Sequence, residues 1–153
     1  VSPAHSFQIL LAEDNEDDVF LMRQAVRKAG VPLDIHAVPD GEAALAYLRG
    51  EREYADRARH PLPDALLLDL NMPRLNGFEV LEALRAEAAW NWLPVFVLSA
   101  SNLPADIRRA QDLHANAYVV KPIRVDELAG FAGALHGWMK FTGEARGARA
   151  LAR

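Results

Sequence analysis

The chain has 153 residues, 51% of them hydrophobic and 25% charged, with 17 Lys and Arg against 21 Asp and Glu for a net charge of −4. That is one domain's worth of ordinary globular composition, which excludes wholesale disorder, and its mild acidity makes no electrostatic case for binding nucleic acid. Cysteine is absent, which excludes a disulfide scaffold, a thiolate metal site and a cysteine nucleophile and fits a reducing cytoplasm; the apolar runs fall far short of the ~20 residues that span a membrane.

Residues 1–7 read as an N-terminal extension. Ile9-Leu10-Leu11-Ala12 is a short apolar run, followed by the acidic block Glu13-Asp14-Asn15-Glu16-Asp17-Asp18. From Val19 the spacing becomes helical: Val19, Met22, Val26 and Ala29 share one face, Asn15 suits an N-cap, the acids favour the helix dipole, and Gly30 is a stop. Leu33 to Val38 alternates apolar and polar residues as a half-buried strand does. Pro39-Asp40-Gly41 is a turn, and Glu42 to Leu48 a short helix. Gly50 to Pro63 is polar and basic and reads as a long loop or a fraying helix end; a loop of that length in a compact domain is often functional.

Ala65-Leu66-Leu67-Leu68 is apolar on successive residues, as a central parallel strand covered on both faces would be. It ends in Asp69. After a loop holding Pro73 and Gly77, Phe78, Leu81, Leu84 and Ala88 carry a helix. Pro94 to Leu98 is another continuous apolar strand, ending at Ser99-Ala100-Ser101. Ala105 to Leu113 is a helix, Ala117 to Val120 the last strand before Lys121-Pro122, and Val125 to about Phe141 the final helix. Five strands alternating with five helices imply an α/β fold, with a parallel sheet, right-handed crossovers and helices on both faces.

Ligands of such sheets bind outside the carboxyl ends of the strands. Those ends carry Glu13 and Asp14, Asp69, Ser99 and Lys121. Singly, the acids are ordinary helix caps, Ser99 an unremarked hydroxyl and Lys121 a solvated loop lysine. Asp69 is harder to place so, because a charge at the rim of a buried strand is costly unless paired or bound to a cation. Together, three repelling carboxylates suit a hard divalent cation such as Mg²⁺. Lys121 and Ser99 suit phosphoryl oxygens, and one carboxylate can attack phosphorus. The set reads as an aspartyl-phosphate acceptor.

These residues resemble a known family. Leu11-Ala12-Glu13-Asp14-Asn15, Leu67-Leu68-Asp69-Leu70-Asn71-Met72-Pro73, Asn76-Gly77, Leu98-Ser99-Ala100 and Tyr118-Val119-Val120-Lys121-Pro122 look like the motifs of CheY-like receiver domains, the response regulators of two-component phosphorelay signalling. Each motif is common; all of them, in order and at this spacing, are specific. The resemblance implies a flavodoxin-like (β/α)5 fold of strand order 2-1-3-4-5 over residues 8–141, leaving 142–153 as a tail and no DNA-binding output domain. It implies Asp69 as phosphoacceptor, Mg²⁺ held by Glu13, Asp14, Asp69 and the backbone carbonyl of Asn71, and Lys121 bridging to the phosphoryl group. Ser99 and Tyr118 would be the switch pair, the Lys121–Pro122 bond would be cis, and Asn71 and Ser101 would tune dephosphorylation. Glu13 stands where the family more often has Asp, and Ser99 where it more often has Thr.

The segment Gly50–Pro63 and a final helix running into Trp138-Met139-Lys140-Phe141 resemble single-domain response regulators paired with bacterial or cyanobacterial phytochromes. That implies a histidine kinase, a bacteriophytochrome, as partner. On the last helix, Val125, Leu128, Ala132, Leu135 and Met139 form one apolar stripe and Phe131, Ala134, Trp138 and Phe141 a second. The second is the expected homodimer surface, together with the last strand. Competing roles are a phosphate sink or relay intermediate on the same site, and an aspartyl-nucleophile phosphatase. The phosphatase would need a second acid two residues after Asp69, where Asn71 stands. The nine glycines form no G-x-G-x-x-G or G-K-[ST] nucleotide motif.

Overall fold

The continuous apolar run Ala65–Leu68 forms a strand whose four side chains are all buried, at the centre of a five-stranded sheet. The computed structural model describes residues 6–151, with side chains placed for residues 6–142; residues 1–5, most of the expected N-terminal extension, lie outside the described residues. The strands are β1 (Phe7–Ala12), β2 (Leu33–Val38), β3 (Ala65–Leu68), β4 (Val95–Ser99) and β5 (Ala117–Val120), all parallel and ordered β2-β1-β3-β4-β5. The helices are α1 (Glu16–Ala29), α2 (Gly41–Arg49), α3 (Gly77–Ala86), α4 (Pro104–Asp112) and α5 (Val125–Leu151). Element order, strand order and doubly wound layering agree with the sequence reading.

Alternation along the strands divides the core in two. Ile9 and Leu11 of β1 join Met22, Ala25 and Val26 of α1 and Leu128, Ala132, Leu135 and Met139 of α5 on one face. Leu10 and Ala12 join Leu45 and Leu48 of α2 and Val80, Leu81 and Leu84 of α3 on the other. Val97, Leu70, Phe78 and Ala110 extend that second layer to α4. The first stripe read from α5 is thus core, with Val125 half-buried beside it.

Local signals end the helices where the sequence placed them, with three differences. Asn15 caps α1 by accepting from the amides of Asp17 (2.9 Å) and Asp18 (3.4 Å), and Gly30 closes it at φ 68°, a left-handed conformation that glycine adopts without strain. The third helix stops at Ala86 rather than Ala88, because Glu87 is extended and a separate short turn follows over Ala88–Trp90. The final helix passes Phe141 and runs to Leu151, through a stretch in which the helix formers Ala, Glu, Arg and Leu outnumber Gly143 and Gly147.

The third difference is the segment after α2, which is neither a slack loop nor a frayed helix end. A single 3-10 turn covers Arg52–Ala55. Arg57 then folds back so that its guanidinium donates to the carbonyls of Tyr47 (2.8 Å), Leu48 (2.8 Å) and His60 (3.2 Å). Tyr47 and Leu48 lie in the last turn of α2, where carbonyls run out of intrahelical partners; the Tyr47 carbonyl also accepts from the Gly50 amide at 3.1 Å. Tyr47, Tyr54 and His60 pack ring on ring, and the Tyr47 hydroxyl donates to the carbonyl of Pro61 at 2.9 Å.

Two glycines let helices meet the loops at the carboxyl edge of the sheet. A Cβ on Gly77, at the start of α3, would lie 2.4 Å from the carbonyl oxygen of Asp69 and 2.8 Å from Cα of Leu70; one on Gly41, at the start of α2, would lie 2.3 Å from the carbonyl oxygen of Leu75. Backbone cannot yield as a side-chain tip can. Gly77→Ala is therefore expected to destabilise the fold by about 1–3 kcal/mol, the usual cost of overpacking. Urea unfolding of the variant against wild type measures it.

Candidate functional site

The hydrogen-bond register of the sheet decides which side chains meet. Ala12 lies opposite Leu68, Leu68 opposite Val97, and Ser99 opposite Val120. The next residues, Glu13 after β1 and Asp69 after β3, therefore leave adjoining strands at one level. The Asp69 amide donates to the carbonyl of Ala12 at 3.1 Å. The chain travels from β1 outward to β2 and returns across β1 to β3, so these acids flank the reversal of strand order, where a crevice opens. Ser99 ends β4, and Lys121 follows β5 with its amide donating to the Ser99 carbonyl at 2.7 Å.

Glu13 and Asp69 are buried and Asp14 is exposed. One carboxylate oxygen from each lies within 4.8 Å of the others, and no other group of three or more His, Cys, Asp or Glu is as close among the described residues. An all-oxygen set that converges in this way fits a hard divalent cation. Lys121 reaches the same acids. Its ammonium donates to Glu13 Oε2 at 2.7 Å, to Asp18 Oδ2 at 2.9 Å and, at a longer 3.5 Å, to Asp69 Oδ2. The other oxygens are held by backbone: the Asn15 amide donates to Glu13 Oε1 at 3.1 Å and the Asn71 amide to Asp69 Oδ1 at 3.3 Å.

Burial pushes the Glu13 carboxyl up, to about 7; the hydrogen bond from Lys121 pulls against it, and the charge of Asp69 adds to the rise. Burial alone would lower Lys121, but its hydrogen bonds to Glu13 and Asp18 and the charge of Asp69 outweigh that and hold the ammonium above its ordinary range. Lys121 is thus a fixed cation.

The hydroxyl of Ser99 is fully buried and accepts from the Ser101 amide at 3.1 Å. Tyr118 is half-buried, packs beside Phe78, Val97 and Ala110, and donates its hydroxyl proton to the Ser101 carbonyl at 2.7 Å. Ser101 in turn donates to Asp106 of α4 at 2.5 Å. The expected switch pair is therefore joined through the backbone of one intervening residue.

The chain matches the Response regulator receiver domain over residues 9–131. The chain belongs to this family. Among its relatives, the probable methanogenesis regulatory protein FilR2 of Methanothrix harundinacea is 37% identical over 122 residues, 80% of this chain and 76% of that protein. Response regulator Rcp1 of Synechocystis is 32% identical over 120 residues, 78% of this chain and 80% of its own length. Of solved structures, the phosphorylated cyanobacterial phytochrome response regulator RcpA superposes with a TM-score of 0.79 at 36% identity, covering 90% of this chain and 96% of that one. The Mn²⁺-bound form of Rcp1 superposes at 0.75 with 30% identity, covering 87% and 94%. The receiver thus sits among phytochrome response regulators of two-component signalling, as the insertion and the Trp-bearing helix implied.

One implication of the resemblance is corrected. Among the described residues no peptide bond is cis, so Lys121–Pro122 is trans. Trans is favoured for X–Pro bonds by about 0.5–1 kcal/mol, and the Lys121 ammonium reaches all three of its carboxylates in that geometry. One site residue escaped the sequence reading: Asp18, taken there for a helix-dipole acid. Its position three residues after the cap Asn15 was a usable signal, because side chains in the first turn lean back toward the helix N-terminus.

Glu13 has a consequence for pH. A carboxyl raised from 4.5 to about 7 adds stability that is fully present below its unfolded value and is lost as pH rises through about 7. A divalent cation needs the deprotonated form. Metal-free protein is expected to melt lower at about pH 8 than at about pH 5.5, and added Mg²⁺ or Mn²⁺ to raise the melting temperature more at the higher pH. Thermal scans with and without chelator check both, and Glu13→Gln is expected to flatten the difference.

Proposed function

We propose that Asp69 is the phosphoacceptor of this response regulator, taking its phosphoryl group from the phosphohistidine of a phytochrome-type sensor kinase. The observation that carries the reading is a buried carboxylate at the sheet reversal, with Glu13 and Asp14 within cation-sharing distance and the Lys121 ammonium beside it. An Asp69 oxygen attacks phosphorus in line with the bond to the donor nitrogen. The O–P bond forms as the P–N bond breaks, and the imidazole nitrogen keeps the bonding pair. A divalent cation on Glu13, Asp14, Asp69 and the Asn71 carbonyl would offset charge on the phosphoryl oxygens; the family assigns Mg²⁺ this place, and the Mn²⁺-bound Rcp1 supports it.

Lys121 supplies a second fixed positive charge to those oxygens. Ser99, which accepts one amide and still has its own proton to donate, supplies a hydrogen bond. Such a hydrogen bond draws on the Ser101 segment, to which Tyr118 and Asp106 are tied. The transfer and later hydrolysis of the acyl phosphate are self-catalysed, and the product is a changed α4–β5–α5 surface in the cytoplasm. Beside the site, Leu21 and Pro122 border a small cavity next to Lys121, and Ile123 is 95% exposed. This apolar rim suits a helix of the kinase.

The same reading includes a homodimer through β5 and α5. Val120 is exposed on β5, Phe141 is 75% exposed on α5, and Trp138 is 37% exposed while its ring stands edge-on against Phe96 at 5.1 Å. Phe131 is half-buried against the core. An apolar face of this kind suits a second copy.

Two experiments test these readings. Incubation with acetyl phosphate and Mg²⁺, read by intact mass, is expected to add one phosphoryl group, and Asp69→Asn to abolish it; no adduct on wild type, from acetyl phosphate or from a cognate kinase, overturns the assignment. Sedimentation at micromolar concentration is expected to show a dimer, and a monomer for Phe141→Gln and for Phe141→Gln with Trp138→Gln. Phe141→Gln is the cleaner variant, since Trp138 also packs on Phe96 within its own chain.

A further inference from the structure

Three carboxylates share the Lys121 ammonium, and only two of them belong to the candidate cation cluster. Glu13 and Asp69 are members; Asp18, on the first turn of α1, is not. The distances are unequal. The ammonium lies 2.7 Å from Glu13 and 2.9 Å from Asp18, but 3.5 Å from Asp69. An ammonium has three donors and no acceptor. Two short bonds therefore fix its orientation, and the third N–H is left facing Asp69 across a longer gap.

We propose that Asp18 is a positioning residue for phosphotransfer, drawing the Lys121 ammonium back from Asp69 so that the carboxylate stays free to attack and the third N–H stays free for a phosphoryl oxygen. The inference rests on Asp69 being the phosphoacceptor. Lys121 carries a four-carbon stem with many rotamers. Without Asp18, its nearest acids are the two that the cation and the phosphoryl group need. The ammonium, already 2.7 Å from Glu13, then closes on Asp69 as well and forms a tight pair with the nucleophile. Asp18 prevents this from outside that set. It is partly exposed, with a third of its side chain open to solvent against about a thirtieth for Glu13, so water still reaches its carboxylate while it holds the ammonium. Its backbone is fixed as well, because its amide is one of the two that Asn15 caps.

A plain tether between α1 and the loop after β5 would use the same ion pair, and the two roles separate by experiment. The variants are Asp18→Asn, Asp18→Glu, Lys121→Met and the double variant Asp18→Asn with Lys121→Met. The readouts are the saturating rate and donor half-saturation of phosphorylation by acetyl phosphate with Mg²⁺, thermal melting, and the ¹⁵Nζ resonance of Lys121. Asp18→Asn is expected to lower the saturating rate about tenfold with half-saturation nearly unchanged, Asp18→Glu to restore most of it, and Asp18→Asn to have no added effect once Lys121 is Met. The Lys121 ammonium signal is expected to show slowed exchange in wild type and to broaden in Asp18→Asn. That signal does not depend on phosphorylation, so it separates the two assignments. Wild type without a phosphoryl adduct but with the slowed signal overturns the role of Asp69 and with it the catalytic sense of the proposal. Normal phosphorylation of wild type and Asp18→Asn alike overturns the proposal alone. So does a rate loss that persists in the Lys121→Met background, or one that tracks a fall in melting temperature.

Discussion

One fixed ammonium among three inward-leaning carboxylates is the interaction on which this molecule's chemistry turns. Glu13 and Asp69 sit at the buried ends of β1 and β3, where water cannot neutralise a charge cheaply, and Lys121 reaches them from the end of the edge strand β5. Each is tolerable only because the others are there. Glu13 is held by Lys121 and the Asn15 amide, and Asp69 by Lys121 and the Asn71 amide. The excess of negative charge that survives these bonds suits a divalent cation, and in the proposed function it leaves a carboxylate to act as nucleophile. Packing serves the same end: Gly77 lets α3 start against the Asp69 carbonyl, and the flanking Leu68 and Leu70 are buried, so the acid projects from a rigid edge.

A second network links the site to α4 and β5. Ser99, Ser101, Tyr118 and Asp106 are linked by hydrogen bonds between 2.5 and 3.1 Å. They join β4, the loop after it, α4 and β5. If the Ser99 hydroxyl moves to donate to a new acceptor, either the Ser101 amide it accepts from moves with it or that bond is lost, which in a low-dielectric setting is not free. The loop therefore has a physical reason to rearrange with the site rather than independently of it. The network lies on the α4 face of the sheet, whereas Trp138 and Phe141 belong to α5 on the other face, and the exposed Val120 lies on the edge strand β5.

The segment between α2 and β3 makes a different point about specificity within the receiver family. It is held by Arg57 on the end of α2 and by the tilted and edge-on rings of Tyr47, Tyr54 and His60. Length alone suggested slack chain. The guanidinium makes it an extension of the helix end, because it supplies several donors in a fixed plane to carbonyls that a helix leaves open.

The sequence by itself determined the layered α/β fold, its five strands and the residues at their carboxyl ends, because hydrophobic period and strand length are local properties. The buried run Ala65–Leu68 announces a central strand, and the charge that ends it announces a site. Asn15 and Gly30 mark the ends of α1 through a local side-chain cap and a left-handed backbone preference, neither of which needs a partner remote in sequence. Only the tertiary structure decided how those residues pair. That Asp18 shares Lys121, residues 103 apart in the chain, follows from the parallel register that brings β1 and β5 to a common edge. The trans Lys121–Pro122 bond and the clasp of Arg57 on α2 are of the same kind. They depend on distances between segments remote in sequence, which are set by the packing of the whole sheet and by no local pattern.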